Sequence, residues 1–204
     1  MLDASSAIST NSNIAMSAVT ANLACYDIAS SAKGQKTAAV IRNGQPAFWF
    51  LPSVATPWFA PSAFKSLSGD SNGKLSLCLN AGSDVMAEAE EIDEWAVTYC
   101  TLHSERLFGK VLTRDQVLDR YNAIVKKSEK YPPFLKLKIS PDRGAPNFWD
   151  AKKQSRQAPE NWPACQMLCR ARILGFWFMG TSFGLSVQLT DSQILDESSV
   201  ACPF

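Results

Sequence analysis

The sequence predicts an α+β protein in which an antiparallel, barrel-like sheet is interrupted by two helices. Alternating apolar and polar residues, the pattern of half-buried strands, occupy the first and last parts of the chain. Helical spacing of apolar residues occupies the middle, between residues 83 and 129. No internal repeat is visible, and the order of strands, helices and strands favours this fold class.

The first predicted strands surround a turn. Residues 38–42 and 47–51 are the strands, and Asn43 to Pro46, with the sequence NGQP, supply the turn between them. Prolines then break the chain around Trp58 and Phe59, whose rings we expect to be exposed. The segment 74–80, KLSLCLN, alternates cleanly, which predicts a strand with its leucines on the buried face.

Two helices are predicted next. Residues 83–109 carry an approximate apolar stripe, and their acidic side chains crowd the first half, where they favour the helix dipole. Residues 113–129 carry a second apolar stripe and are predicted as the second helix. Thr113 is its expected N-cap, and the sequence Tyr131-Pro132-Pro133 ends it. The acidic cluster therefore has a structural explanation that requires no metal.

Three strands complete the predicted sheet. In residues 134–139, Lys136 and Lys138 point one way while the apolar side chains point the other, so the strand has a basic face. A polar, basic loop follows it. Residues 169–179 and 185–195 are predicted as the last two strands, joined by a turn with two glycines.

The chain is expected to form one domain with an extension at each end. Residues 1–22 are rich in serine, alanine, asparagine and threonine, which predicts a flexible tract. Residues 23–195 form the predicted domain, and residues 196–204 form an acidic tail with a Pro-Phe tip. The sequence shows no secretory signal and no apolar run of the length that a membrane span needs.

The six cysteines do not have the spacing of a disulfide scaffold. We expect free thiols in a reducing, intracellular compartment, which would be the host cytoplasm or nucleus for a viral protein. Cys165 and Cys169 are four residues apart, but zinc needs two more ligands and His103 is the only histidine. No metal and no cofactor are therefore expected.

The motifs of common enzymes are absent from the sequence. No motif for nucleophilic or acid–base catalysis accompanies His103. No glycine-rich phosphate loop of the P-loop or dinucleotide-binding type occurs. The sequence therefore favours a binding protein over an enzyme.

Charge is unevenly distributed along the chain. Residues 105–175 hold 15 basic and 7 acidic residues, a net charge of +8. Residues 1–104 have a net charge of −4, and residues 176–204 have a net charge of −3. A local basic surface suits a polyanionic ligand, although an ordinary solvated face is the alternative.

Aromatic and basic residues interleave between residues 126 and 156. Bases of a single strand stack on aromatic rings while lysine and arginine contact the phosphates. Duplex recognition usually needs a helix in the groove, and neither predicted helix has a basic face, so a single strand is the expected ligand. The predicted contact residues here are Lys126, Lys127, Lys130, Tyr131, Lys136, Lys138, Arg143, Phe148, Trp149, Lys152, Lys153 and Arg156. For each aromatic ring, burial in the core is the alternative.

The C-terminal tip is a candidate docking element. Asp196 and Glu197 precede an apolar end formed by Pro203 and Phe204. The terminal ring would act as an anchor and the terminal carboxylate would add charge, which suits pockets on replication proteins. A frayed end is the alternative.

The tip DESSVACPF is similar to the acidic tails, ending in Pro-Phe, of bacterial single-stranded DNA-binding proteins, but it is less acidic. The body of the chain resembles the single-stranded DNA-binding-like proteins of large DNA viruses of algae and protists. The matching stretches are FWFLPSVATPWF, KLSLCLN, YNAIVKKSEKYPPFLKLKIS and ILGFWFMGTSFGLSVQLTDSQIL. The resemblance implies an OB-fold core with inserted helices that binds single-stranded DNA without sequence preference. It also implies a binding face formed by Trp58, Phe59, Lys136, Lys138 and the loop 148–156.

The sequence therefore predicts a non-catalytic single-stranded DNA-binding protein of replication or recombination. Its expected partners are single-stranded DNA and, through the tip, replication proteins, but no membrane. A homo-oligomer is compatible with the sequence. Two alternatives stay open at this point, namely a viral assembly protein of the capsid or scaffold type and a single-stranded RNA-binding protein.

Overall fold

The computed structural model describes residues 18–30, 36–65, 71–140 and 144–197. The strands are β1 (Leu23–Cys25), β2 (Ala29–Ser30), β3 (Lys36–Arg42), β4 (Gln45–Phe50), β5 (Ala55–Pro57), β6 (Ser62–Lys65), β7 (Ser71–Ala81), β8 (Tyr121–Asn122), β9 (Val125–Lys126), β10 (Phe134–Ile139), β11 (Asn147–Trp149), β12 (Ser155–Arg156), β13 (Cys165–Met179) and β14 (Ser182–Glu197). The helices are α1 (Ser83–Leu102), α2 (Ser104–Phe108) and α3 (Arg114–Leu118), and a 3-10 turn spans Trp162–Ala164.

Five strands form a closed barrel. Going around it, β5 pairs with β7, β7 with β10, β10 with β14, β14 with β13, and β13 with β5 again. The β10–β14 pair is parallel, and the other four pairs are antiparallel. A closed barrel of five strands in this non-sequential order has the OB-like architecture. The predicted α+β class with an OB-like barrel is confirmed.

The hairpin β3–β4 extends the barrel along β13. Asn43 and Gly44 both have positive φ, which suits the tight turn between the two strands. At Gly175 of β13, φ is 147° and an added Cβ would lie 2.2 Å from the carbonyl oxygen of Ala38. Only glycine permits this close approach of the two backbones, so Gly175 allows β3 to pack directly on β13.

The helices are inserted between β7 and β10, and α1 packs on the sheet through Trp95, whose ring stacks on that of Phe176 of β13. Helix α1 ends at Leu102, with His103 as its C-cap, and Gly109 in the left-handed conformation ends α2, so the segment predicted as one helix over 83–109 forms two. The buried residues of α1 are Val85, Ala89, Ile92, Ala96, Val97 and Cys100. The indole N–H of buried Trp49 on β4 donates a hydrogen bond to Glu88, which ties α1 to the sheet.

The predicted second helix is much shorter than expected. Only Arg114–Leu118 is helical, and residues 121–126 form the short strands β8 and β9. The reason lies in α1, where the carboxylate of Asp93 accepts hydrogen bonds from the backbone N–H groups of Ile124 and Val125. The same carboxylate accepts a bond from the Tyr121 hydroxyl. These contacts satisfy the backbone groups that a helix would have paired, so tertiary structure overrides the helical spacing.

The core is continuous from the barrel to α1. Val19 and Thr20, which precede the predicted domain start at residue 23, are buried. Cys25, Cys78, Cys100, Cys165 and Cys169 are free thiols. Within the described residues, no cluster of three or more potential ligands could hold a metal ion. No helix in these ranges is long and apolar enough to span a membrane.

Candidate nucleic-acid interface

Strand β10 presents a basic outer face, as the alternation predicted. Leu135, Leu137 and Ile139 are buried in the barrel, so Phe134, Lys136 and Lys138 lie on the outside. In the register with β7, Lys136 lies opposite Cys78 and Lys138 lies opposite Ser76. This pair of strands is the second and third of the five barrel strands, which is the face on which OB-folds bind oligonucleotides.

Trp58 lies against this face, although it follows β5. Its backbone N–H donates a 3.0 Å hydrogen bond to the carbonyl of Cys78, which fixes the chain beside β7. The ring centroid of Trp58 lies 4.8 Å from that of Phe134 and 6.1 Å from that of Tyr131. Tyr131 is exposed, while Trp58 and Phe134 are partly exposed. Three rings from two distant segments therefore form one surface cluster.

Two lysines flank the ring cluster. Lys126 on β9 lies opposite Phe134 on β10, next to Lys136. Burial, and then the positive charge of Lys136, lower the pKa of Lys126, while Asp93 acts in the opposite direction. An anion that approaches the ammonium groups of Lys126 and Lys136 stabilises the charged form of Lys126, so the position suits a phosphate.

We call this surface the Trp58 face and define it as Trp58, Lys126, Tyr131, Phe134, Lys136 and Lys138. Its arrangement combines rings for stacking with ammonium groups for phosphates. Lys138 donates a 2.6 Å hydrogen bond to the hydroxyl of Ser186, which orients it along the barrel surface. The half-buried thiol of Cys78 lies within the face, and burial raises its pKa.

Other predicted contact residues lie near this face. Phe59 follows Trp58 directly and is 69% exposed. Lys130 is exposed and precedes Tyr131. Lys127 forms a 2.8 Å ion pair with Glu90 of α1, which holds its charge toward the helix. Arg143 lies outside the described residues.

The remaining predicted residues of the body form a separate group on the hairpin β11–β12, which pairs with β14. Trp149 is partly exposed, and Lys152 and Lys153 are exposed in the turn that Asp150 stabilises by accepting backbone hydrogen bonds. Arg156 is partly exposed on β12. Phe148 is buried and packs edge-on against Trp162, which makes it a core residue.

The tail residues divide between two regions. Strand β14 runs through Asp196 and Glu197, which pair with Gln166 and Cys165 of β13, so these acids belong to the sheet rather than to a free tail. Asp196 is exposed. Pro203 and Phe204 lie outside the described residues.

Sequence reasoning missed the basic outer face of β13. Arg170 and Arg172 both point outward, beside Phe48 and Phe50 of β4. The guanidinium of Arg170 lies 4.8 Å from the Phe48 ring centroid and donates to Asp191. The alternation Arg-Ala-Arg over 170–172 was a usable signal, because residues two apart share a strand face, but the surrounding apolar residues obscured it.

Comparisons with known proteins agree with this architecture. No protein-family model and no curated protein matches the chain. Among solved structures, it is similar to a single-stranded DNA-binding protein from bacteriophage Enc34 in complex with single-stranded DNA, with a TM-score of 0.51 and 12% identity over 85% of this chain and 96% of that chain. A further structure of this phage protein gives a TM-score of 0.49 and 14% identity over 87% of this chain and 93% of that chain. At 12% identity, the likeness to the complex with single-stranded DNA shows the fold alone.

Proposed function

We propose that this protein binds single-stranded DNA without sequence preference and without catalysing a reaction. The observation that carries the proposal is the Trp58 face, where three rings and three lysines meet on the outer surface of β7 and β10. Every base has a face on which an aromatic ring can stack, so such a site tolerates all sequences. The fold supports the proposal, because the phage protein of similar fold was solved in complex with single-stranded DNA.

Bases would stack on Trp58, Tyr131 and Phe134, and the phosphates would contact Lys126, Lys136 and Lys138. Phe59 and Lys130 lie next to these residues in the sequence and extend the proposed contact surface. The hairpin residues Trp149, Lys152, Lys153 and Arg156 are a second, outlying set of contacts for a longer strand. We do not include Phe148, because its ring is buried.

The proposed biological role is in DNA replication or recombination, where exposed single strands need a protein that tolerates any sequence. The tip formed by Pro203 and Phe204 would dock on a replication protein, with Asp196 and Glu197 adding negative charge. Deleting Pro203 and Phe204 should abolish capture of a purified polymerase or helicase from the same replication system and leave DNA binding unchanged. Capture that survives the deletion would contradict the docking role.

The binding proposal is tested by fluorescence anisotropy with labelled oligo-dT, using unlabelled duplex and single-stranded RNA of matched length as competitors. Saturable binding that duplex does not displace supports the proposal. Equal or stronger competition by RNA would instead favour an RNA-binding protein. An assembly protein would form defined large particles at low salt without nucleic acid, which light scattering of the same samples detects.

A further inference from the structure

A second surface feature lies on the outside of the barrel, beside the Lys138 end of the Trp58 face. It is a cleft of about 320 Å³ between the outer face of β4, β13 and β14 and the segment 144–147. Phe48, Arg170, Arg172 and Gln188 line it, together with Gly144 and Asn147 of that segment. We call it the outer cleft.

The outer cleft and the Trp58 face share one side of the sheet. Lys138 of β10 lies opposite Gln188 of β14, which lies opposite Arg172 of β13, which lies opposite Phe48 of β4. Residues directly opposite each other on paired strands point to the same side. With strands about 4.8 Å apart, Lys138 and Arg172 are about 10 Å apart along this row. A ligand strand that leaves the Trp58 face at Lys138 therefore reaches Arg172 along the same outer surface of the barrel.

The two arginines of the cleft differ in their electrostatic state. Arg170 forms a 2.7 Å ion pair with Asp191, and its guanidinium lies over the rings of Phe48 and Phe50. Asp191 in turn accepts a hydrogen bond from Asn147. The charge of Arg170 is thus already compensated, and its main contribution is to the wall of the cleft.

Arg172 has no such compensation. Across the described ranges it forms no ion pair, and its Nε is shielded from solvent without a hydrogen-bond partner. Arg172 lines the cleft, so an anion that enters it meets an arginine whose charge no carboxylate of the described ranges offsets. A guanidinium matches the geometry of phosphate, which supplies both an acceptor and a negative charge. The amide Nε2 of neighbouring Gln188 donates to the carbonyl of Gly144.

We propose that the outer cleft binds a phosphate of the same single-stranded DNA, with Arg172 as the contacting cation, after the strand leaves the Trp58 face at Lys138. This inference rests on the proposed function. It extends the binding site beyond the second and third barrel strands to β13 and β4. The consequence is a dependence on length, because a short oligonucleotide fills the Trp58 face alone and a longer one also reaches the cleft.

The test compares oligo-dT of about 6 nucleotides, near the lower end of the roughly 4–16 nucleotides that one OB-fold covers, with oligo-dT of about 20 nucleotides, which exceeds that range. Arg172→Gln should bind the longer oligonucleotide about tenfold more weakly, as expected for one lost charge-assisted hydrogen bond. Its affinity for the shorter one should match that of the wild type. The slope of log affinity against log salt for the longer one should become shallower by about 0.7, which Arg172→Lys should restore. Lys110→Gln, which removes an exposed charge outside the barrel strands, is the control and should change neither length.

The outcomes separate the two proposals. If Arg172→Gln equals the wild type at both lengths, or weakens both lengths equally, the outer cleft is not the extension of the site. If the wild type binds neither length, the proposed function itself is wrong. A second measurement needs no variant, since phenylglyoxal modification of Arg172 in the wild-type protein should be slowed by the longer oligonucleotide and not by the shorter one. Equal modification rates with and without the longer oligonucleotide would overturn the cleft assignment.

Discussion

The ring of Trp58 lies 4.8 Å from the ring of Phe134, centroid to centroid, although the two residues belong to opposite halves of the chain. The contact joins the loop after β5 to the outer face of β10. Together with Tyr131, these rings provide the stacking surface of the proposed site. Both segments contribute rings to the Trp58 face, so the proposed site depends on the contact between them.

Replacing Trp58 with alanine should weaken oligo-dT binding by about 5- to 150-fold, because each stacked base contributes about 1–3 kcal/mol. Phe134→Ala should have a similar effect. Tyr26→Ala is the matched control, since Tyr26 is exposed but lies outside the face. Anisotropy titrations measure the affinities, and thermal unfolding checks that the variants fold. Equal losses in the Tyr26 and Trp58 variants would argue against a local stacking site.

Charge reversal of Lys136 and Lys138 should weaken binding to all sequences tested. Each lost phosphate contact should also make the dependence of log affinity on log salt shallower by about 0.7. Titrations at several salt concentrations with oligo-dT and a mixed-sequence strand measure both effects. Lys110→Glu is the control. It changes the net charge by the same amount as reversal of Lys136 or Lys138 alone, and it should leave binding nearly intact. A loss confined to one base sequence would contradict readout by charge and stacking.

The thiol of Cys78 should report occupancy of the face. It lies opposite Lys136 and beside the backbone of Trp58, so bound DNA should slow its alkylation by iodoacetamide. Burial raises the pKa of Cys78, so the reaction should accelerate as the pH rises above the ordinary thiol range. Buried Cys169, whose pKa burial raises to about 12, is the internal control and should react slowly with or without DNA. Mass spectrometry of the labelled peptides separates the two sites, and an unchanged Cys78 rate at saturating DNA would place the site elsewhere.

Asp93 should make stability depend on pH in a defined direction. Burial raises the pKa of this carboxyl above its ordinary value, while hydrogen bonds from Tyr121, Ile124 and Val125 oppose the shift. Because the pKa of Asp93 is raised in the folded state, folding favours the protonated carboxyl. The stabilisation of the folded state by this group is therefore fully present below the unfolded pKa and is lost as the pH rises through the folded pKa. Compared with Asp93→Asn, the wild type should therefore lose free energy of unfolding as the pH rises through the acidic range. Urea unfolding of both proteins at several pH values measures the difference in free energy of unfolding. If the free energy of unfolding of the wild type instead rises with pH relative to Asp93→Asn, the hydrogen bonds to Asp93 outweigh its burial.

Much of the fold could be predicted because half-buried strands have alternating apolar and polar residues. The pattern over 74–80 and 134–139 is set by which side chains enter the barrel, and both segments are strands of the closed barrel. The second helix was mispredicted because Tyr121, Ile124 and Val125 have helical spacing. Their contacts with Asp93, a distant residue, determine the backbone instead. Nothing in the local sequence around residue 121 contains that information.

The candidate site was predictable in composition but not in arrangement. The interleaving of rings and lysines over 126–156 indicated the chemistry, yet the structure divides that segment between the Trp58 face and the β11–β12 hairpin. Which strands pair decides this division, and sequence period alone does not determine pairing. For the same reason the sequence did not predict the surroundings of Arg172. Its position beside Gln188 and Phe48 depends on the register of three strands.

The measurement that tests the central claim most directly is the anisotropy of labelled oligo-dT of about 30 nucleotides, long enough for at least one OB-fold site, titrated with wild-type protein and with Trp58→Ala. It is performed at about 50 mM and about 200 mM salt with matched duplex as competitor. Our account predicts tight binding that weakens as salt rises, that duplex does not displace and that the Trp58 variant largely loses. Absence of wild-type binding at the lower salt, or binding that the Trp58 variant retains in full, would contradict it.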